Sequence, residues 1–348
     1  MLHPLRFISR PEDYNRSRLV KSQKDYSKIV LITDENTTKF CKPVLDKTNV
    51  NYTNHINTGR LSEKEKSLET VEKIWSEWLN MSIDRKTAVV VLGGGLLSDM
   101  AGFAASVYKR GLHLYLIPTT LLAMVDAAIG GKNGINFKGI KNQIGTVNMP
   151  REVLIDPRFL STLPHEEMMS GTAEMLKHAL IARPSYFDHI IAALEKGLPE
   201  EDLPPLIRRS VEIKTGIVQR DPYESGLRKV LNFGHTLGHA LEACLHQTGK
   251  PVSHGHAVAV GMMAALDLSV VLSGLDVEIA RRYKSALKKY YALPAGLQTL
   301  LPCISEQIRH DKKNTGNEPR FVLLEEPGKP VWDFRVPEPL LIKIWKNI

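Results

Sequence analysis

Apolar and polar positions follow two different rhythms along this chain. Over the first 156 residues, short β-branched runs break off at small or polar turns. Lys28-Ile29-Val30-Leu31-Ile32-Thr33 stops at Asp34-Glu35-Asn36, and Ala88-Val89-Val90-Val91-Leu92 runs directly into Gly93-Gly94-Gly95. Unbroken apolar runs of this length are the mark of strands covered on both faces. Leu112 to Ile117, ending at Pro118-Thr119-Thr120, and Val153-Leu154-Ile155 read the same way. Between them, Leu68, Val71, Ile74, Trp75 and Trp78 recur on one stripe of a helix expected over 62–79, and a second helix is expected over 98–109. Strand, helix and strand joined by short turns predict a mostly parallel, twisted sheet.

From about Asp156 the period lengthens, and helices are expected over 164–181, 186–196, 203–219, 234–246, 255–272 and 277–291. A small hairpin over 320–324 and 330–334, closed by Pro327-Gly328, ends the pattern. The predicted fold is α/β followed by α. A Rossmann-like nucleotide-binding domain is expected over 1–158 and a mainly helical metal- and substrate-binding domain over 159–348, with the boundary near 156–163. A chain of 348 residues is long enough for two cores.

Charge changes this picture little. The net charge is +8, but the 46 basic residues are scattered without an aromatic-interleaved stripe, so nucleic acid is not expected as a partner. A small anionic substrate suits the same balance. Three cysteines, Cys41, Cys244 and Cys303, form neither a disulfide framework nor a metal knuckle, and a reducing cytoplasm is expected. The first residues lack the apolar core of a signal peptide. The apolar stretch from Ala257 to Leu275 carries Asp267 and several small residues, which predicts a buried helix and no membrane association.

The chemistry is concentrated in Asn232-Phe233-Gly234-His235-Thr236-Leu237-Gly238-His239 and Ser253-His254-Gly255-His256. His235 and His239 lie four apart, on one helical face. Upstream, Glu174, Lys177 and His178 stand at i, i+3 and i+4. Neutral imidazoles with a carboxylate suit a borderline divalent ion such as zinc. Glu242 and His246 prolong the same face, so there are more donors than one metal needs, and spacing does not choose among them. The glycines at 93–95 allow backbone amides to approach a pyrophosphate at a helix start, although G-x-G-x-x-G is absent. A tight turn needing positive φ is the alternative. Thr119 and Thr120 stand beyond the next strand, where ligands of such sheets gather. Gly130-Gly131-Lys132 and Lys141-Asn142, close to Asp126, read as two flexible turns presenting charge to an anion. Lys214, Arg228, Asn232 and the turn Asp311-Lys312-Lys313-Asn314 add cationic and amide groups. Together these residues point to a nucleotide-using metalloenzyme acting on a phosphorylated small acid.

At many separated places the chain resembles the 3-dehydroquinate synthases of the sugar phosphate cyclase superfamily. The likeness runs from about Ile29 onward and is carried by Gly93-Gly94-Gly95 with Asp99-Met100-Ala101-Gly102-Phe103, Arg110-Gly111, Pro118-Thr119-Thr120-Leu121-Leu122-Ala123, Asp126, Gly130-Gly131-Lys132, Lys141-Asn142, Glu174 with Lys177, the His235 and His239 segment, and His254-Gly255. The resemblance implies bound NAD and a zinc or cobalt ion held by Glu174, His235 and His254. It also implies a homodimer with its active site between the two domains. NAD would be contacted by Asp34, Asn36, Glu63, Lys66, Gly94, Gly95, Asp99, Thr119, Thr120, Lys141 and Thr162. The substrate would be contacted by Asp126, Lys132, Asn142, Lys177, Lys214, Arg228, Asn232, His239 and Lys312, with Arg110 reaching across the dimer. Of these, Lys132, Asn142, Lys177, Lys214, Arg228, Asn232 and His239 would serve catalysis.

The implied substrate is a phosphorylated sugar acid, 3-deoxy-D-arabino-heptulosonate 7-phosphate, on the shikimate route to aromatic compounds. Asn133 stands where many relatives have Thr, and His256 where many have Glu. His-Gly-His is found in relatives that cyclise sedoheptulose 7-phosphate to valiolone-type products, so a sister cyclase is one alternative. A metal-dependent alcohol dehydrogenase is a second, and a catalytically silent metal- or nucleotide-binding protein a third.

Overall fold

The computed structural model describes residues 4–138, 140–309 and 320–348. Lys312 and its basic turn lie outside the described residues. The chain divides into two compact units, Met1–Pro164 and His165–Ile348.

The first unit is built on strands β1 (Leu5–Phe7), β2 (Ile29–Thr33), β3 (Asn54–Asn57), β4 (Ala88–Gly93), β5 (His113–Pro118), β6 (Lys132–Phe137), β7 (Ile140–Val147) and β8 (Glu152–Ile155). Its helices are α1 (Arg18–Ser22), α2 (Glu35–Phe40), α3 (Lys42–Leu45), α4 (Leu68–Asn80) and α5 (Gly95–Val107). Six strands form a sheet in the order β1-β8-β5-β4-β2-β3, every neighbour parallel. β2 and β4 are buried at every position, which is why they read as unbroken apolar runs. Two sheet strands were not anticipated. β1 has three residues, and β3 is Asn-His-Ile-Asn, with only Ile56 fully buried, so neither carries a period.

Helix boundaries follow the caps. α4 begins after Ser67, whose hydroxyl accepts from the Thr70 N–H, six residues later than the apolar stripe alone suggested. α5 begins at Gly95, directly off β4, rather than near residue 98. The expected flexible turns around Lys132 and Lys141-Asn142 are instead an antiparallel hairpin, β6 paired with β7 from Lys132↔Val147 to Phe137↔Ile140. Alternating small, polar and apolar residues hid this ribbon.

The second unit contains α6 (His165–Ala182), α7 (Pro184–Glu195), α8 (Leu203–Arg220), α9 (His235–Gln247), α10 (His254–Leu272), α11 (Val277–Tyr290), α12 (Leu301–Arg309) and α13 (Glu338–Lys346), with the hairpin β9 (Arg320–Glu326) and β10 (Lys329–Arg335). The six helices expected here are present, each within two residues of its expected ends. α12 and α13 were not anticipated. Leu241, Leu245, Val260, Leu268, Ile304, Phe321, Leu341 and Trp345 join α9, α10, α12, α13 and β9 in one core. α10 is long and apolar enough to cross a membrane, but 72% of that stretch is buried within the protein, as a core helix requires.

One expectation about cysteine is corrected. Cys244 on α9 and Cys303 on α12 form a disulfide, and Cys41 is the free thiol. The pair is 59 residues apart in sequence, and only the packing of the two helices makes them neighbours.

Candidate functional site

Three helices of the second unit approach one another closely because glycine stands at each crossing. A Cβ on Gly255 would lie 2.1 Å from the Ser170 carbonyl oxygen, and one on Gly261 would lie 2.0 Å from that of Gly234. Real side chains do not tolerate such distances. Gly234 also has φ +79° at the start of α9, against Met262 and Val258 of α10. These contacts set the first turn of α9 and the first turn of α10 beside the middle of α6. His235, His254 and Glu174 occupy those places.

The resulting geometry is specific. His235 Nε2 is 3.5 Å and His254 Nε2 is 3.4 Å from the same oxygen, Oε1 of Glu174. Glu174 is fully buried. Its other oxygen pairs with Lys177, one turn further along α6. His239 lies on the same face of α9, its ring centroid 5.1 Å from that of His235 and 5.6 Å from that of His254. His235, His239 and His254 thus form a three-imidazole group beside a carboxylate.

The hydrogen bonds on the far side of each ring show what the near side presents. His235 Nδ1 is 3.2 Å from the Phe233 carbonyl oxygen, and His254 Nδ1 is 3.4 Å from Oε2 of Glu242. A carbonyl and a carboxylate only accept, so both Nδ1 atoms donate, and each Nε2 is left to face Glu174 through a proton or through a metal ion. Two bare lone pairs facing one carboxylate oxygen would repel it, so a proton or a metal cation must lie among them. The His254 imidazole registers the same demand. Burial would lower its pKa, but the carboxylates of Glu174 and Glu242 raise it to about 10. A divalent ion would replace that proton, so the donor set fits a metal.

His256 does not join the group. The residues around it are the first turn of α10 rather than extended chain, and its Nε2 donates to the Ala292 carbonyl oxygen at 2.6 Å. His246 is exposed at the end of α9. His178 is buried and bonds through Nδ1 to the Ser210 hydroxyl at 2.7 Å.

The cationic residues of this unit are held by a loop. Arg228 is 3% exposed in the 3₁₀ turn Leu227–Asn232, and its guanidinium donates to the Pro222 carbonyl. Asp221 fixes that turn, because its carboxylate accepts from the N–H groups of Ser225, Gly226 and Arg228 at 3.0, 2.7 and 3.0 Å. Asn232 donates to Glu224, and Lys214 is buried on α8. Asp221 was missed in the sequence, although Asp221-Pro222 followed by Ser225-Gly226 is a turn signature.

In the first unit, the residues expected at a dinucleotide gather at the carboxyl ends of adjacent strands. Asp34 follows β2 and caps α2 through the Thr37 N–H at 2.7 Å, with Asn36 in the first turn. Gly94 and Gly95 follow β4, and Thr119 and Thr120 follow β5. The Thr119 N–H donates to the Gly93 carbonyl at 3.0 Å, and a Cβ on Gly94 would sit 3.0 Å from Thr120 Cγ2. Gly94 has φ −74°, so close approach rather than a left-handed turn is what requires glycine there. The thirteen-residue α5 starts at this point, and its N-terminus suits a phosphate. Thr162 is exposed on the turn after β8.

Lys66, only 4% exposed, reaches Asp99 on α5 at 2.6 Å and the Asn142 side chain at 2.5 Å. Asn136, which no spacing pointed to, donates to Glu63 and accepts from the Asn142 N–H, and Lys141 lies 3.8 Å from Glu63. Asn142 therefore sits with Lys66 and Asp99, whereas Lys132 is at the opposite end of the hairpin. Five residues of strand separate the two, about 16 Å. Asn133 is buried against Gly102 and donates to the Gly131 and Asn148 carbonyls, so that departure is held in packing. Asp126 lies in the short helical turn Ala123–Ala127. Arg110, with φ +69°, precedes β5 and so stands at the other edge of the sheet from Gly94 and Thr119.

A parallel α/β unit with a glycine turn at its carboxyl edge, followed by a helical unit with converging imidazoles and a carboxylate, is a fold shared with solved sugar phosphate cyclases and, at lower similarity, with an iron-containing alcohol dehydrogenase. Over 99% of this chain the fold matches a crystal structure of 2-deoxy-scyllo-inosose synthase complexed with carbaglucose-6-phosphate, NAD+ and Co2+, at TM-score 0.85, 24% identity and 96% coverage of that chain. It matches equally, over 100% of this chain and 96% of the other, a 2-epi-5-epi-valiolone synthase from Streptomyces hygroscopicus subsp. jinggangensis 5008 with NAD+ and Zn2+ bound, also at TM-score 0.85 and 24% identity.

Sequence narrows the class. Residues 56–170 match the N-terminal, and residues 171–314 the C-terminal, family model of 3-dehydroquinate synthase. A 3-dehydroquinate synthase from Listeria monocytogenes serotype 4a is 38% identical over 339 residues, covering 96% of this chain and 91% of the relative. This chain belongs to the 3-dehydroquinate synthase family.

Proposed function

We propose that this protein converts 3-deoxy-D-arabino-heptulosonate 7-phosphate to 3-dehydroquinate and inorganic phosphate, as an NAD- and divalent-metal-dependent cyclase working as a homodimer in the cytoplasm. The observation that carries the reading is the convergence of two Nε2 atoms on the buried Glu174 carboxylate, in a chain of this family. Glu174, His235 and His254 would hold zinc or cobalt. Asp34, Asn36, Glu63, Lys66, Gly94, Gly95, Asp99, Thr119, Thr120, Lys141 and Thr162 would hold NAD.

Bound there, the ion supplies Lewis acidity at a substrate hydroxyl and the dinucleotide supplies a hydride acceptor that is restored before turnover ends. Phosphate would leave as the C–H beside that hydroxyl carbon gives up its proton, with a phosphate oxygen placed to take it. Ring opening and an intramolecular aldol closure complete the product.

The protein's own groups have narrower tasks. Buried Arg228, its turn fixed by Asp221, offers a planar fork to the substrate carboxylate, and buried Lys214 a point charge to hydroxyls. Lys177 neutralises Glu174 and, with Asn232 and Asp126, orients the substrate. His239, beside His235, is placed for proton transfer. Lys132 receives phosphate oxygens, while Asn142, beside Lys66 at the other end of the hairpin, contacts the substrate apart from the phosphate. Lys312 and, from the other protomer, Arg110 complete the anion contacts.

The test is phosphate release from 3-deoxy-D-arabino-heptulosonate 7-phosphate with NAD present. Release without accumulation of NADH is expected. Accumulation of NADH would mean an alcohol dehydrogenase, and turnover only with sedoheptulose 7-phosphate would mean a sister cyclase. Glu174→Ala and His235→Ala should lose bound metal, while Lys132→Ala keeps metal and loses turnover. Full metal occupancy in the first two variants would count against the ligand assignment.

A further inference from the structure

Glu242 is the feature of this cluster that the assigned ligands leave unexplained. It lies on α9 seven residues beyond His235, two turns along the same face, and its side chain is 14% exposed. Its Oε2 is 3.4 Å from Nδ1 of His254, while Nε2 of that same ring is 3.4 Å from Glu174. The His254 imidazole is therefore spanned by two carboxylates, one at each nitrogen. His235 has the same arrangement with a neutral partner, the Phe233 carbonyl, at its Nδ1.

We infer that Glu242 is a positioning residue for the metal: it holds His254 in the Nδ1–H tautomer, fixes the ring plane, and through its charge makes Nε2 a stronger donor to a divalent cation. This rests on the reading that Glu174, His235 and His254 bind the ion. The chemistry is direct. Imidazole presents a lone pair at one nitrogen only when the other carries the proton, and an ionised carboxylate at the far side favours that state more than a carbonyl does. His254 needs such help more than His235. Its side chain is 28% exposed against 10% for His235, so packing alone constrains it less.

The experiment measures Co2+ affinity of the metal-free full-length chain, with NAD present, by competition against a chromophoric chelator. It is read together with the visible absorption of the bound cobalt. Glu242→Ala removes both the acceptor and the charge, and its affinity should fall about 10- to 100-fold with an altered cobalt spectrum. Glu242→Gln keeps an acceptor oxygen without the charge and should fall between Ala and wild type, with a spectrum near wild type. His256→Ala, which touches Ala292 instead, should bind Co2+ as wild type does.

Thermal unfolding of each metal-free variant separates a folding defect from an affinity loss, and the Gln variant keeps the comparison usable if Ala does not fold. Wild-type affinity and spectrum in Glu242→Ala or Glu242→Gln, with binding lost in Glu174→Ala and His235→Ala, would overturn the inference and leave the ligand set standing. Undiminished binding in Glu174→Ala and His235→Ala would instead overturn the ligand set, and the inference with it.

Discussion

Asp221→Asn isolates one carboxylate that holds a loop without touching the proposed chemistry. The Asp221 side chain accepts from the Ser225, Gly226 and Arg228 N–H groups and from the Ser225 hydroxyl. Burial on its own would raise the pKa of this group. The backbone N–H groups of Arg228, Gly226 and Ser225 overcome that and lower it from 3.8 to about 2. At about 1.4 kcal/mol per pH unit, this displacement is worth on the order of 2 kcal/mol when the group is ionised. Solvent along one side of the loop screens part of it, so the expected loss in Asp221→Asn near pH 7 is about 1–2 kcal/mol.

The sign follows from the lowered pKa. The carboxylate's contribution is complete above the unfolded value near 4 and disappears as pH falls toward 2, with about half remaining at pH 3. Urea unfolding of wild type and Asp221→Asn between about pH 7 and pH 3 should therefore show a gap that narrows as acid is added. Since Arg228 takes its backbone position from this carboxylate, KM for the sugar phosphate should rise more than kcat falls. A variant as stable as wild type at neutral pH, or a gap that does not change with pH, would refute the reasoning.

Other substitutions probe other links. Gly255→Ala and Gly261→Ala place a methyl 2.1 and 2.0 Å from backbone oxygens, and each should destabilise by about 3 kcal/mol or more and reduce bound metal. Gly216→Ala on α8 meets nothing within 4 Å and should instead stabilise by about 0.5–1 kcal/mol in the same unfolding assay. Lys66→Met removes the ammonium that Asp99 and Asn142 share, and NAD titration should show affinity lower by about tenfold. Thiol titration of chain denatured without reductant should find Cys41 alone, and reduction of the Cys244–Cys303 bond should lower stability by about 4 kcal/mol; three reactive thiols before reduction would contradict this.

The parallel core was legible because β2 and β4 are buried along their whole length, leaving no polar position to interrupt the run. The helices of the second unit were legible for the complementary reason, an apolar stripe long enough to fix its period. What failed to show was whatever depended on a partner distant in sequence. β1 exists because β8 pairs with it, whereas the hairpin holding Lys132 and Asn142 is local and was hidden by its mixture of small, polar and apolar residues. Cys244 and Cys303 are joined because α9 and α12 share a core.

The candidate metal group combines both kinds of information. The four-residue step from His235 to His239 was visible on paper, and so was the surplus of donors. Choosing among them required knowing which rings already spend one nitrogen. His254 differs from His256 not in residue type but in what lies behind it, Glu242 in one case and the Ala292 carbonyl in the other. That difference is created by Gly255 pressed against Ser170, one turn before Glu174, which fixes how α10 is rotated on α6. The glycine in His-Gly-His is therefore as much a determinant of the site as the histidine before it. A larger residue there would turn His254 away from Glu174 even with every ligand still in the chain.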